Sequence, residues 1–183
     1  MDLTGKLLAA MPGMGDARFE RALVMVCSHS ADGAMGLIIN RIMPDFSFPT
    51  LLDQLGIQQG GAPAIEVHYG GPVERSRGFV LHRGRYRGGP EMMQIQGGFQ
   101  MSVTVNVVED IAAGKGPRQA LLALGYAGWG PSQLEKEIVE NAWLTLDAEP
   151  DVIFDRPNAQ KWAAALKVLG VDPVMLSGAA GHA

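Results

Sequence analysis

The residues best suited to chemistry lie early in the chain, in Met11-Pro-Gly-Met-Gly-Asp16 and the arginines that follow, Arg18 and Arg21. Gly13 and Gly15 leave backbone N–H groups open to a ligand, as phosphate-cradling loops do at helix N-termini. The Lys-Ser/Thr pair that completes a triphosphate loop does not follow, and no third glycine stands in register for a dinucleotide fingerprint. The plain alternative is a turn between strands. Asp16 and Arg18 are the polar groups of this turn if it binds a ligand.

Cys27 and His29 are two apart at a strand end, and period two puts such a pair on one face. A thiol beside an imidazole is the minimum for an activated nucleophile or half a metal site. The strand is apolar, however, and a core thiol beside a hydrogen-bonded histidine fits it equally. His29, His68 and His82 all fall on or beside expected strands, and nothing in their spacing requires them to meet. The H-x-E, H-E-x-x-H and C-x-x-C spacings of zinc sites are absent, as is the G-x-S-x-G of a hydrolase elbow. No metal and no cofactor is expected.

Arg75, Arg77, Arg83, Arg85 and Arg87 form the clearest charge anomaly, with no acid between Glu74 and Glu91. On a strand, Arg83, Arg85 and Arg87 would share one face. Such a surface suits phosphates or carboxylates. It equally suits an edge strand guarded by solvated charge. Gly125-Tyr-Ala-Gly-Trp129-Gly-Pro131 joins small residues to aromatic walls, so Trp129 either lines a cleft or covers the next helix.

The elements that must hold these groups read as short apolar runs between glycine turns. Strands are expected at 7–11, 22–27 and 35–40, the last two as a hairpin over Asp32-Gly33. Further strands are expected at 65–69 and 78–82 around Gly70-Gly71-Pro72, at 92–95 and 101–105 around Gly97-Gly98, and at 120–126. Ser47 with Pro49 starts a helix that Gly56 ends. Asn106 with Glu109 resembles a capping box. Later helices begin at Pro131 and Asn158, the last with Trp162, Leu166 and Leu169 on one face and Gly170 as its stop. Strands and helices do not alternate regularly, which argues against a doubly wound parallel sheet.

The bulk properties agree with a folded protein built of such elements. The chain has 183 residues, 47% of them apolar and 19% charged, with 24 glycines and 11 prolines. That length suits one domain spanning 1–183. The net charge of −4 gives no general attraction to nucleic acid or anionic membranes. One cysteine excludes an intrachain disulfide and fits a reducing compartment. No apolar run reaches membrane-spanning length, and the N-terminus lacks the pattern of a signal peptide. The expectation is a cytoplasmic protein.

The motifs together resemble the bacterial AlgH/YqgE-like family. The resemblance rests on Leu3-Thr-Gly-Lys-Leu-Leu8, Met11-Pro-Gly-Met-Gly-Asp16, Gly33-Ala-Met-Gly-Leu-Ile-Ile-Asn-Arg41 and Gly70-Gly-Pro-Val73. Arg77-Gly-Phe-Val-Leu-His82, Leu124-Gly-Tyr-Ala-Gly-Trp-Gly-Pro131 and the closing Ala180-Gly-His-Ala183 extend it over almost the whole chain. It implies an α+β fold, with a largely antiparallel sheet curled into a barrel-like shape and peripheral helices. It implies no catalytic residues. Members are generally labelled as proteins of unknown function, and some carry a label as transcriptional regulators of alginate synthesis.

The leading expectation is therefore a binding or regulatory protein, monomer or homodimer, with a small-molecule or protein partner, rather than an enzyme. Its ligand pocket would draw on Met11, Gly13, Gly15, Asp16, Arg18, Arg21, His29, Asn40 and Trp129. One alternative is an enzyme for a small anionic or phosphorylated substrate, which requires Asp16, Arg18, Arg21, His29 and Asn40 to converge. Another is nucleic-acid binding through Arg75 to Arg87.

Overall fold

Period-two burial on both faces explains why the strands read as continuous apolar runs. In β1 (Lys6–Ala10), Leu7 and Ala9 enter one core while Leu8 and Ala10 enter another. The computed structural model describes residues 1–89 and 91–177. The Ala180–Ala183 motif lies outside them. The strands are β2 (Leu23–Ser30), β3 (Gly33–Ile38), β4 (Val67–Tyr69), β5 (Val73–Arg83), β6 (Met93–Ile95), β7 (Phe99–Ser102), β8 (Gln119–Trp129) and β9 (Trp143–Asp147). The helices are α1 (Phe48–Leu55), α2 (Val105–Ala112), α3 (Gln133–Val139), α4 (Asn158–Val168) and α5 (Pro173–Ser177).

The strands form one mainly antiparallel sheet, in the order β6-β7-β5-β8-β3-β2-β1-β9, curled into a half-barrel with helices around it. Its spine is β8, which pairs with β5 and β4 along its first half and with β3 at its end. The partner change falls at Gly125, where φ is +75° and an added Cβ would lie 2.4 Å from the Gly71 carbonyl oxygen. Only glycine fits there without displacing backbone.

Inside the curl, Leu7, Met25, Leu37, Phe79, Leu81 and Phe99 pack against Trp162, Ala165 and Leu166 of α4. On the outer face, α1 and α2 cover Val80 and Leu122, while Leu134 of α3 covers Val24, Val26 and Ile38.

Several expectations are corrected. The runs around Gly70-Gly71 do not pair with each other; β4 runs parallel to β8 instead. Asn106 is not a cap. The chain enters α2 at Thr104, in extended backbone, and Asn106 lies inside the helix. Arg83, Arg85 and Arg87 do not share a strand face, because β5 ends at Arg83 and the other two lie in the loop beyond it. The strand β9 and a π-helical turn at Asp151–Asp155 were not foreseen.

Candidate functional site

The glycine loop leads from β1 into a single 3₁₀ turn, Ala17–Phe19. The Asp16 side chain accepts the Arg18 backbone N–H at 3.0 Å, capping that turn. It also takes a forked ion pair from the Arg18 guanidinium, with Nη2 at 2.7 Å, which holds the carboxyl below its ordinary range. Arg41 reaches across from the end of the hairpin and donates to the carbonyls of Arg18 and Glu20. Asn40 donates to the Arg21 carbonyl and accepts from Leu23 N–H, both at 2.9 Å. Arg21 itself sits at φ +51°, a strained value for a residue with a side chain, and its guanidinium lies over Trp162 at 5.5 Å. Four side chains thus fix the loop, two of them from the adjacent hairpin.

Two cavities open between this loop and the α4–α5 corner. The first, about 320 Å³, is walled by Met11, Pro12, Met14 and Trp162, with Gly13, Gly15 and Asp16 on its rim. The second, about 410 Å³, is lined by Asn40, Arg41 and Asn158. Glu20, Arg21, Trp162 and Pro173 line both, so the two lobes make one groove.

Behind the second lobe lies a buried polar cluster that joins His68 to Lys161, a lysine that nothing in the sequence marked. Lys161 is 3% exposed and donates to the Ile39 carbonyl at 2.8 Å. Burial pulls its pKa down to about 8. His68 contacts the Leu122 carbonyl and Asn158 Oδ1, each at 3.1 Å; burial first, then the Lys161 charge, lowers its pKa. Asn158 also donates to Glu66 at 3.2 Å, linking the cluster to the groove. Lys161 stands one position before Trp162 on α4, in a helix whose periodicity marked only the apolar stripe.

The remaining expected residues lie elsewhere. Arg18 lines neither lobe. A β-bulge between Val26 and Ser28 leaves Cys27 unpaired and reverses the alternation. Cys27 and His29 therefore do not share a face. Cys27 enters the inner core, where burial pushes its thiol up to about 12. His29 accepts Leu3 N–H on Nδ1 at 3.2 Å, so its Nε2–H donates to Glu135 at 2.9 Å. His82 bonds Ser102 at 2.9 Å in the interior, so the three histidines do not converge. Among the described residues, no group of three or more His, Cys, Asp or Glu is placed to hold a metal.

Trp129 borders a different cavity with Phe19, Trp143 and Arg18. Its indole N–H and that of Trp143 both donate to Glu137 Oε2 at 2.8 Å.

Fold and site define a mixed α+β half-barrel with a groove built on a pinned glycine loop. The AlgH-like family model matches residues 7–174. UPF0301 proteins of Ruegeria pomeroyi and Paracoccus denitrificans are each 55% identical to it, covering the whole of this chain and 100% and 97% of their own. The solution structure of the AlgH protein from Pseudomonas aeruginosa, UPF0301, matches with a TM-score of 0.77 and 39% identity, covering 98% of this chain and 95% of that one. A Corynebacterium diphtheriae protein shares the fold, with a TM-score of 0.72 at 18% identity over 97% and 91% of the two chains. This chain belongs to the AlgH-like, UPF0301 family, whose function is uncharacterised.

Proposed function

We propose that this chain is a cytoplasmic binding or regulatory protein whose groove takes a small amphipathic ligand. The observation that carries this reading is the two-lobed shape, apolar at Met11, Pro12, Met14 and Trp162, and polar at Asn40, Arg41 and Asn158. A ligand would bury an apolar body in the first lobe and hydrogen-bond its polar end in the second. Arg21 lines both lobes over the Trp162 ring, and among the described residues no ion pair engages its charge. No helix among the described residues is long and apolar enough to cross a membrane, which is compatible with a cytoplasmic location. The label of some family members as transcriptional regulators of alginate synthesis supports a regulatory role. The enzyme reading needs Asp16, Arg18, Arg21, His29 and Asn40 in one pocket, and Arg18 and His29 line neither lobe.

The test is native mass spectrometry on gently purified protein, with Trp162→Ala alongside. The expected result is an adduct of a few hundred daltons, order of magnitude for a cavity of this size, that the variant loses. A clean apo mass for both proteins, with no small molecule from a cell extract shifting the melting temperature, overturns the reading. The same spectra report monomer against homodimer.

A further inference from the structure

The arginines that sequence reading grouped together are dispersed, and a different set is assembled. Arg18 from the 3₁₀ turn, Arg41 from the hairpin end and Arg75 from β5 line one open basin of about 520 Å³ with Ile42, Tyr69 and Pro72. Three separate segments make this possible. Tyr69 N–H donates to the Arg41 carbonyl at 2.8 Å, which lays 41–43 alongside β4. On β5 the register moves five residues, Val73 to Gly78, while β8 moves two, Tyr126 to Leu124. The surplus, starting from Glu74 at φ +45°, carries Arg75 over the Tyr69 ring at 5.7 Å.

The charge of this basin is unbalanced. Among the described residues, none of those lining it is a carboxylate. Asp16 pairs with Arg18, and Glu74 pairs with Arg77 at 3.3 Å rather than with Arg75. The guanidinium of Arg41 is held by backbone carbonyls and that of Arg75 by an aromatic face. Among the described residues neither makes an ion pair, although Arg41 lies close enough to Asp16 to help hold its carboxyl low, on a chain whose net charge is −4. Ile42, 46% exposed, supplies an apolar wall beside them.

We infer that this basin is an anion site for a small phosphorylated organic molecule, the phosphate held by Arg41 and Arg75 and the organic part resting on Ile42 and Pro72. The Arg75 fork suits phosphate oxygens, while Arg41, whose Nη atoms already donate to the Arg18 and Glu20 carbonyls, adds its charge and remaining N–H groups; arginines fixed in place beforehand lose little freedom on binding. A small ligand fits better than nucleic acid. The cluster is confined to one basin, and a polymer needs a continuous basic track. Arg85 and Arg87 do not extend it, lying beyond the far end of β5. The basin shares Arg41 with the second lobe of the groove, but Ile42, Tyr69, Pro72 and Arg75 line the basin and neither lobe, so Arg75 tells the two sites apart.

The test is NMR titration of the full chain with adenosine 5′-monophosphate, adenosine, inorganic pyrophosphate and a short single-stranded DNA, at low and raised salt. The expected result is saturable shifts at Ile42, Tyr69 and Arg75 with the monophosphate, none with adenosine, and weakening with salt. Arg75→Ala removes a guanidinium that rests on the Tyr69 ring and makes no hydrogen bond among the described residues, and it should weaken binding about tenfold or more. Arg75→Lys, which keeps the charge and loses the fork, should weaken it less. Binding of pyrophosphate without binding of the monophosphate counts against the inference, because the organic wall would then hold nothing. Equal binding by adenosine, unchanged affinity in Arg75→Ala, or no response to any phosphate overturns the inference. So does DNA binding that tightens with strand length and exceeds the mononucleotide.

Discussion

Lys161 carries the sharpest consequence at the scale of single residues. An ammonium that is 3% exposed, with one carbonyl partner given by the hydrogen-bond geometry, is poorly solvated, so the neutral amine is favoured and the folded pKa falls to about 8 from 10.5. The unfolded chain therefore binds more protons than the folded one between those two values. Stability then rises with pH across that window. Urea unfolding of the wild-type chain should show the rise, and Lys161→Met should flatten it. An identical pH profile in both proteins would mean that the ammonium is solvated after all. Cys27 illustrates the opposite outcome at this scale. Cys27 continues the inward alternation of Leu23 and Met25, and a bulge of one residue turns His29 to the other face, so the spacing that suggested a nucleophile describes a core residue.

At the scale of elements, backbone contacts between strands dictate residue choice more than side-chain packing does. Gly71 has φ +155°, and an added Cβ would lie 2.1 Å from the Tyr126 carbonyl carbon. Gly13, at φ +82°, has nothing within 4 Å of that position. Gly71→Ala should therefore destabilise the protein by about 3 kcal/mol or more, because strand β8 or the 70–72 turn must move. Gly13→Ala should cost only the conformational penalty, about 1 kcal/mol. Chemical denaturation midpoints of the two variants measure the difference, and equal losses would contradict the close approach. The strand β9 was missed for a related reason. Its sequence, Trp143-Leu-Thr-Leu-Asp147, follows a helix and is short, and its burial alternates only against β1 and Glu137.

The whole molecule is tied together by pairings far apart in sequence. β1 lies between β2 and β9, so residues 6–10 bond to residues 143–147. Trp162 of α4 donates to the Ala10 carbonyl at 3.0 Å and fills the inside of the curl. A chain closed in this way should unfold as one unit. Calorimetry is expected to give a single transition, and a chain ending at residue 140 is expected to show none, because β1 loses its outer neighbour and the inner core loses Trp162, Ala165 and Leu166. A cooperative transition in the shortened chain would show that the C-terminal third is an addition and not part of the core.

The sequence by itself determined the elements whose signals are local. The β2–β3 hairpin, the start of α1 at Ser47 with its αL glycine stop at Gly56, and the start of α4 at Asn158 were all legible. Periodicity and turn chemistry act over a few residues, and those are printed in the chain. The motifs also carried the family and, with it, the curled α+β sheet. What the tertiary structure decided was company. Of the expected pocket residues it joined Met11, Gly13, Gly15, Asp16 and Arg21 in one lobe, put Asn40 with Arg21 in the next, and sent His29 and Trp129 elsewhere. It scattered Arg75 to Arg87 and built a basin from Arg18, Arg41 and Arg75 instead. Bulges cause much of this regrouping. One extra residue in a strand reverses every side chain beyond it, and its position depends on the neighbouring strand rather than on the residues around it.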